Sequence, residues 1–140
     1  MKKLFILFSF CLLLLSGGCS DDDKEISPED VVLNQTVWKG TFHKYEYSTN
    51  DYSNYDIIIT FSSVEGGYYQ IKPSGSDNSK YEEVSFDCRV DEKIIHIYGY
   101  LENIPLAGFW WITYSTHNKL TLKTSPETTH SSTLSLTKVL

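Results

Sequence analysis

An all-β fold of eight short antiparallel strands, opened by a small helix, is predicted for this chain. Three observations predict it. From Trp38 onward, apolar and polar residues alternate with period two, the signature of strands that bury one face. Turn-forming residues interrupt the alternation at short intervals: Thr49-Asn50-Asp51, Ser74-Gly75-Ser76-Asp77-Asn78, Asp91-Glu92-Lys93, His117-Asn118-Lys119 and Ser125-Pro126-Glu127. The 140 residues include 10 Tyr and 7 Phe but one Met, a composition suited to pleated, half-buried surfaces. Strands joined by short connections fit an up-and-down barrel, with a two-sheet β-sandwich as the alternative.

The chain opens with Lys2 and Lys3 before an apolar run, Leu4 to Leu15, then the small residues Ser16, Gly17 and Gly18 ahead of Cys19. These are the parts of a secretory signal, and the run is too short to span a bilayer, which takes ~20 apolar residues. Gly17-Gly18-Cys19 resembles the lipobox of bacterial lipoproteins. That resemblance implies cleavage before Cys19, acylation of its thiol and a membrane tether, since anchoring takes more than one acyl chain. Ser20-Asp21-Asp22-Asp23-Lys24-Glu25 reads as a solvated linker. Placed directly after the cysteine, Ser20, Asp21, Asp22 and Asp23 also resemble the surface-export signal of Bacteroidetes-type lipoproteins. This implies an outer-membrane protein facing the medium, the periplasmic face being the alternative. The expected organisation is therefore a signal peptide at 1–18, a lipidated acidic tether at 19–26 and one domain at 27–140.

Removal of Lys2 and Lys3 makes the remaining chain more negative than the −6 of the full sequence. With no basic stripe, neither nucleic acid nor anionic lipid heads are expected as partners. Of three cysteines, Cys11 leaves with the signal and Cys19 takes the lipid, so Cys88 has no disulfide partner.

In the domain, Ser27-Pro28-Glu29-Asp30 is a helix start: an N-cap, Pro at the first helical position, acids in the first turn. One or two turns are expected, covering one end of the fold. Trp38, Gly40 and Phe42 then share a face, as do Ile57, Ile59 and Phe61 in the next strand. Tyr69 and Ile71 form a short strand after a Glu65-Gly66-Gly67 turn. Val84, Phe86 and Cys88 alternate with Glu83, Ser85, Asp87 and Arg89. Ile95, Ile97, Gly99 and Leu101 alternate with His96, Tyr98 and Tyr100. Phe109-Trp110-Trp111-Ile112-Thr113-Tyr114 is apolar on both faces, and Trp110, Ile112 and Tyr114 are assigned inward. Leu120 and Leu122, then Leu134 and Leu136, close the series.

A helix, a strand opening Thr36-Val37-Trp38-Lys39-Gly40-Thr41-Phe42, a meander and a closing Leu134-Ser135-Leu136-Thr137-Lys138 resemble the lipocalin-like (calycin) lipoproteins. The resemblance implies a closed barrel, Trp38 packed across its closed end and Lys138 able to lie over that indole. A small eight-stranded barrel is either filled by its own side chains or holds one ligand, so a small hydrophobic or glycan ligand in the barrel or at its loops is expected. The alternative is a filled barrel that acts as a protein-interaction or inhibitor module.

Catalytic residues are not expected. His43 and His96 lie on outward faces and His117 and His130 in loops, with no ligand spacing for a metal. Adjacent acids such as Glu82-Glu83 point to opposite faces of a strand and cannot act as a pair. Cys88 reads as a small buried apolar group. No cofactor is implied. Binding is expected instead from outward tyrosines, which supply flat contact area. The candidate residues are Tyr52, Asn54 and Tyr55 in a loop with Asn50 and Asp51, together with Tyr98 and Tyr100. The expected partners are the membrane, through Cys19, and a small ligand or surface protein.

Overall fold

The computed structural model describes residues 24–99 and 104–140. Eight antiparallel strands form a closed up-and-down barrel: β1 (Thr36–Glu46), β2 (Asp51–Ser63), β3 (Gly66–Pro73), β4 (Glu82–Asp91), β5 (Ile94–Tyr98), β6 (Gly108–Ser115), β7 (Lys119–Lys123) and β8 (Thr133–Lys138). Each strand pairs with its sequence neighbours, and β8 returns to pair with β1. Closure leaves no free sheet edge along the ring. The sandwich alternative is set aside.

The inward residues are those the alternation selects. Trp38, Phe42, Ile57, Ile59, Phe61, Tyr69, Phe86, Cys88, Ile95, Ile97, Trp110, Leu120, Leu122, Leu134 and Leu136 are all buried in one cluster. An eight-stranded barrel has an interior just wide enough for side chains to fill, and the described inward side chains are packed into one buried cluster. Phe42 on β1 meets Trp110 on β6 edge-on, with ring centroids 5.8 Å apart, although the two strands are not neighbours. Phe61 and Phe86 meet likewise at 5.7 Å past the intervening β3.

Described residues pack at both ends. At the closed end Thr36 donates to the Leu33 carbonyl and accepts from the Trp38 indole at 2.8 Å. Ile26 donates its amide to the Ser115 carbonyl at 2.9 Å, and the Ser115 hydroxyl donates back to Ile26, which holds the incoming chain across the end of β6. At the other end, Ile104 and Leu106 from the β5–β6 connection are buried against the core. The Trp110 indole donates to the Leu106 carbonyl at 2.8 Å. Register sets Lys138 opposite Trp38, on the β8 side of the closed end.

Four features differ from the sequence expectation. The expected helix is a single 3-10 turn, Pro28–Asp30, and the Ser27 side chain makes no capping bond; extended backbone resumes at Val31. In β6 the register passes from Ile112–Leu122 to Tyr114–Thr121, so Thr113 is an extra residue. That bulge turns Tyr114 outward and Ser115 inward, because one inserted residue exchanges the faces of all that follow. The glycines Gly66 and Gly67 belong to β3, the turn being Val64-Glu65. Finally, β2 begins at Asp51, so Tyr52, Asn54 and Tyr55 are strand residues and not loop residues.

Close backbone approach explains two glycines. A Cβ on Gly40 would lie 1.8 Å from the Ser135 carbonyl oxygen, and one on Gly67 would lie 1.9 Å from that of Thr60. Both clashes are with neighbouring-strand backbone, which cannot rotate away. Gly40→Ala should therefore lower stability by at least about 2 kcal/mol, by forcing β1 from β8 where the ring closes. Urea denaturation checks this, with Ser135→Ala, which leaves the backbone clash absent, near wild type.

Candidate functional site

The β1–β2 hairpin turns over through Tyr47–Asn50, with Asn50 at φ 56°. Asn tolerates this left-handed conformation better than most residues. The register beyond the turn sets Tyr45 opposite Tyr52 and His43 opposite Asn54, on the outer face. His43 stacks on Tyr52 at 4.2 Å and 11°, with its Nδ1 hydrogen-bonded to the Asn54 amide oxygen. Tyr45 meets the edges of Tyr47 and Tyr52 and stacks on His130 at 5.0 Å. Its hydroxyl donates to Asn50 Oδ1, and its amide donates to Ser132 Oγ at 2.9 Å. The Tyr52 hydroxyl donates to the Thr129 carbonyl at 2.6 Å.

This cluster straps the β7–β8 connection onto the hairpin. Its rings and hydroxyls are taken up by one another, so Tyr45 is buried although it points away from the core. The structure thus brings Tyr52 and Asn54 together, with His43 beside them. It separates Tyr55, which points inward and packs on Phe42 with centroids 5.8 Å apart. Tyr52 and Tyr55 lie on opposite faces of β2 and cannot form one surface. His43 and His130 were missed as members because each is contributed by a segment distant in sequence or across the turn. Cys19, Ser20, Asp21, Asp22, Asp23 and Tyr100 lie outside the described residues.

Tyr98 belongs to a second aromatic surface, on the outer wall of β4–β6. Register aligns Arg89, His96 and Phe109 across three strands, with Asp87–Tyr98 one rung away. His96 stacks on Phe109 at 4.2 Å and lies 5.1 Å from Tyr98. On the next rung Lys93 sits over Trp111, 5.7 Å from its ring centroid. Phe109 is 59% exposed and Tyr98 44%, on a wall where outward positions elsewhere are mainly polar. Beside Tyr98, the residues Glu65, Asp87, Cys88 and Arg89 line a hollow of about 520 Å³. Arg89 and the carboxylates of Glu65 and Asp87 have no ion-pair or side-chain hydrogen-bond partner among the described residues. Ring faces, hydrogen-bond acceptors and a hydrogen-bond donor thus converge on one stretch of wall. Such an arrangement offers stacking surface together with hydrogen-bond acceptors and a donor.

Inside the barrel, two titratable groups are shifted by burial. The Cys88 thiol is pushed from 9.0 up to about 11 by desolvation, with the nearby Asp87 charge adding to the rise. Its Sγ contacts the Val64 carbonyl at 3.7 Å. Desolvation likewise pushes the Tyr69 phenol to about 12; the Leu106 backbone opposes this and Glu82 adds to it. No well-formed hydrogen bond to the Tyr69 hydroxyl occurs among the described residues. Among those residues no group of His, Cys, Asp or Glu is arranged to hold a metal ion. No protein-family model, curated protein or solved structure matches the chain.

Two outcomes follow from this geometry. Tyr52→Phe removes only the bond to Thr129 and should cost about 1 kcal/mol, whereas Tyr52→Ala also removes the ring stack and should cost about 2 kcal/mol. Denaturation of both variants checks this. The raised thiol pKa means that the native state keeps its proton where the unfolded state loses it. Stability should therefore fall as the pH rises from 9.0 toward about 11. Cys88→Ala should flatten part of that fall, and an aromatic disulfide reagent at neutral pH should modify wild-type Cys88 only on unfolding.

Proposed function

We propose that this protein is a lipid-anchored outer-membrane surface lipoprotein of the lipocalin-like kind, acting as a small binding module. The barrel is its scaffold, and the outer wall and loops meet the target. The observation that carries this reading is the filled interior, with Phe42 against Trp110 across the lumen and Leu106 seated above them. A ligand the size of a hydrophobic metabolite would have to displace buried aromatic rings, each of which contributes a few kcal/mol to stability. These contacts favour a target met outside the barrel, as in the filled-barrel alternative of a protein-interaction or inhibitor module, over a ligand held inside.

The anchor in this reading is Cys19, and Ser20, Asp21, Asp22 and Asp23 direct the protein to the outer leaflet. Rigid strands position the surface, while the lipid supplies residence at the membrane.

The test has two parts. Cys19→Ala should abolish labelling with a palmitate analogue and move the protein to the soluble fraction, and replacing Asp21, Asp22 and Asp23 with Ala should protect it from protease added to intact cells. Labelling that persists in the cysteine variant, or a wild type already protected, refutes the anchor or the display respectively. Native mass spectrometry of the detergent-extracted chain should show the lipidated protein alone; a retained small molecule refutes the filled barrel.

A further inference from the structure

The geometry points to the outer wall of β4–β6 as a carbohydrate-binding site that takes a neutral glycan chain. This rests on the reading of the barrel as a scaffold and names what its wall engages. The shelf is Phe109, backed by the parallel His96 ring at 4.2 Å, which fixes its orientation. A fixed, exposed ring presents a negative π face, and the axial C–H groups of a pyranose are the complementary positive surface. Tyr98 continues the shelf toward the hollow it lines with Glu65, Asp87 and Arg89.

The charges decide between occupants. Sugar hydroxyls donate and accept hydrogen bonds, so they need acceptors and donors together. Glu65 and Asp87 accept, and Arg89 donates through a planar, five-hydrogen fork. None of the three is engaged by an ion pair or side-chain hydrogen bond among the described residues, so all three are free to meet a ligand. A polyanion would face both carboxylates, and a cationic peptide would face Arg89. A neutral polyhydroxylated ring meets neither penalty.

The experiment is native electrophoresis of the full lipidated chain, held in a sugar-free polyoxyethylene detergent. Gels are cast with a soluble α-glucan, β-glucan, galactomannan or xylan, and one with polygalacturonate. At least one neutral polysaccharide should retard the wild type. Phe109→Ala and Arg89→Gln should each weaken that affinity about tenfold, while Tyr47→Ala, at a still more exposed aromatic away from the wall, should not. Arg89→Gln changes one exposed polar group, so it reports on the site even if Phe109→Ala perturbs folding. No retardation in any neutral gel, retardation by polygalacturonate alone, or retardation unchanged in both variants overturns the assignment. So does a wild-type dimer in sedimentation that Phe109→Ala converts to monomer, which would make this wall a self-interface. Because native mass spectrometry reads the barrel interior independently, a failed gel panel beside an unliganded barrel removes the glycan and leaves the scaffold reading standing.

Discussion

The edge-on contact between Phe42 and Trp110 spans the interior of the barrel, and much of the molecule is arranged around it. An eight-stranded barrel is narrow enough for rings from non-neighbouring strands to meet across it. Where β8 closes on β1, the backbones approach so closely that position 40 has no room for a Cβ. The Trp110 indole proton points inside, where it must find an acceptor, and the Leu106 carbonyl supplies one. With these rings packed inside, the exposed aromatic chemistry of the described residues lies on the outer wall.

Two aromatic surfaces lie there, and they differ in how far they are satisfied. At the hairpin, His43, Tyr45, Tyr52 and His130 stack on one another, and both tyrosine hydroxyls have acceptors. Such a cluster trades its recognition capacity for stability, since a new partner would have to break bonds already made. On the β4–β6 wall the stacking stops at His96 and Phe109, and the remaining ring faces meet solvent. Exposed apolar rings beside unpaired charges are the less common arrangement on a soluble surface and the one that recognition uses.

The inward faces of the strands were legible because period two leaves little freedom: once Trp38 and Phe42 are inside, Lys39 and Thr41 cannot be. The end of β6 was not. An apolar run such as Phe109 to Tyr114 carries no alternation, and a bulge at Thr113 has no composition of its own, so Tyr114 was assigned to the wrong face. Tyr52 and Tyr55 were read as one loop because Asn, Asp and Ser surround them. Pairing with β1 outweighs that local turn preference, and the strand then sends the two rings to opposite sides. The hairpin cluster was hidden for a different reason. Its ties run from β1 and β2 to Thr129, His130 and Ser132, some eighty residues away, a separation that only the closing of β8 on β1 makes short. The β4–β6 wall was half visible: Tyr98 stands out as an outward aromatic, but its rung partners depend on register.

Topology also bears on how such a surface would be presented. The described chain enters at the closed end, where Ile26 is hydrogen-bonded across Ser115. Four residues, Ser20, Asp21, Asp22 and Asp23, lie between Cys19 and Lys24, and even fully extended the span from Cys19 to Lys24 would be less than about 18 Å. An acyl anchor on Cys19 would therefore keep the closed end near the bilayer and direct the β1–β2, β3–β4, β5–β6 and β7–β8 connections away from it. The β4–β6 wall would then stand roughly along the membrane normal, exposed sideways to whatever lies at the cell surface. With such an anchor, a long, flexible ligand could reach this lateral face without passing between the protein and the membrane, as the neutral glycan chain inferred for the wall would have to do.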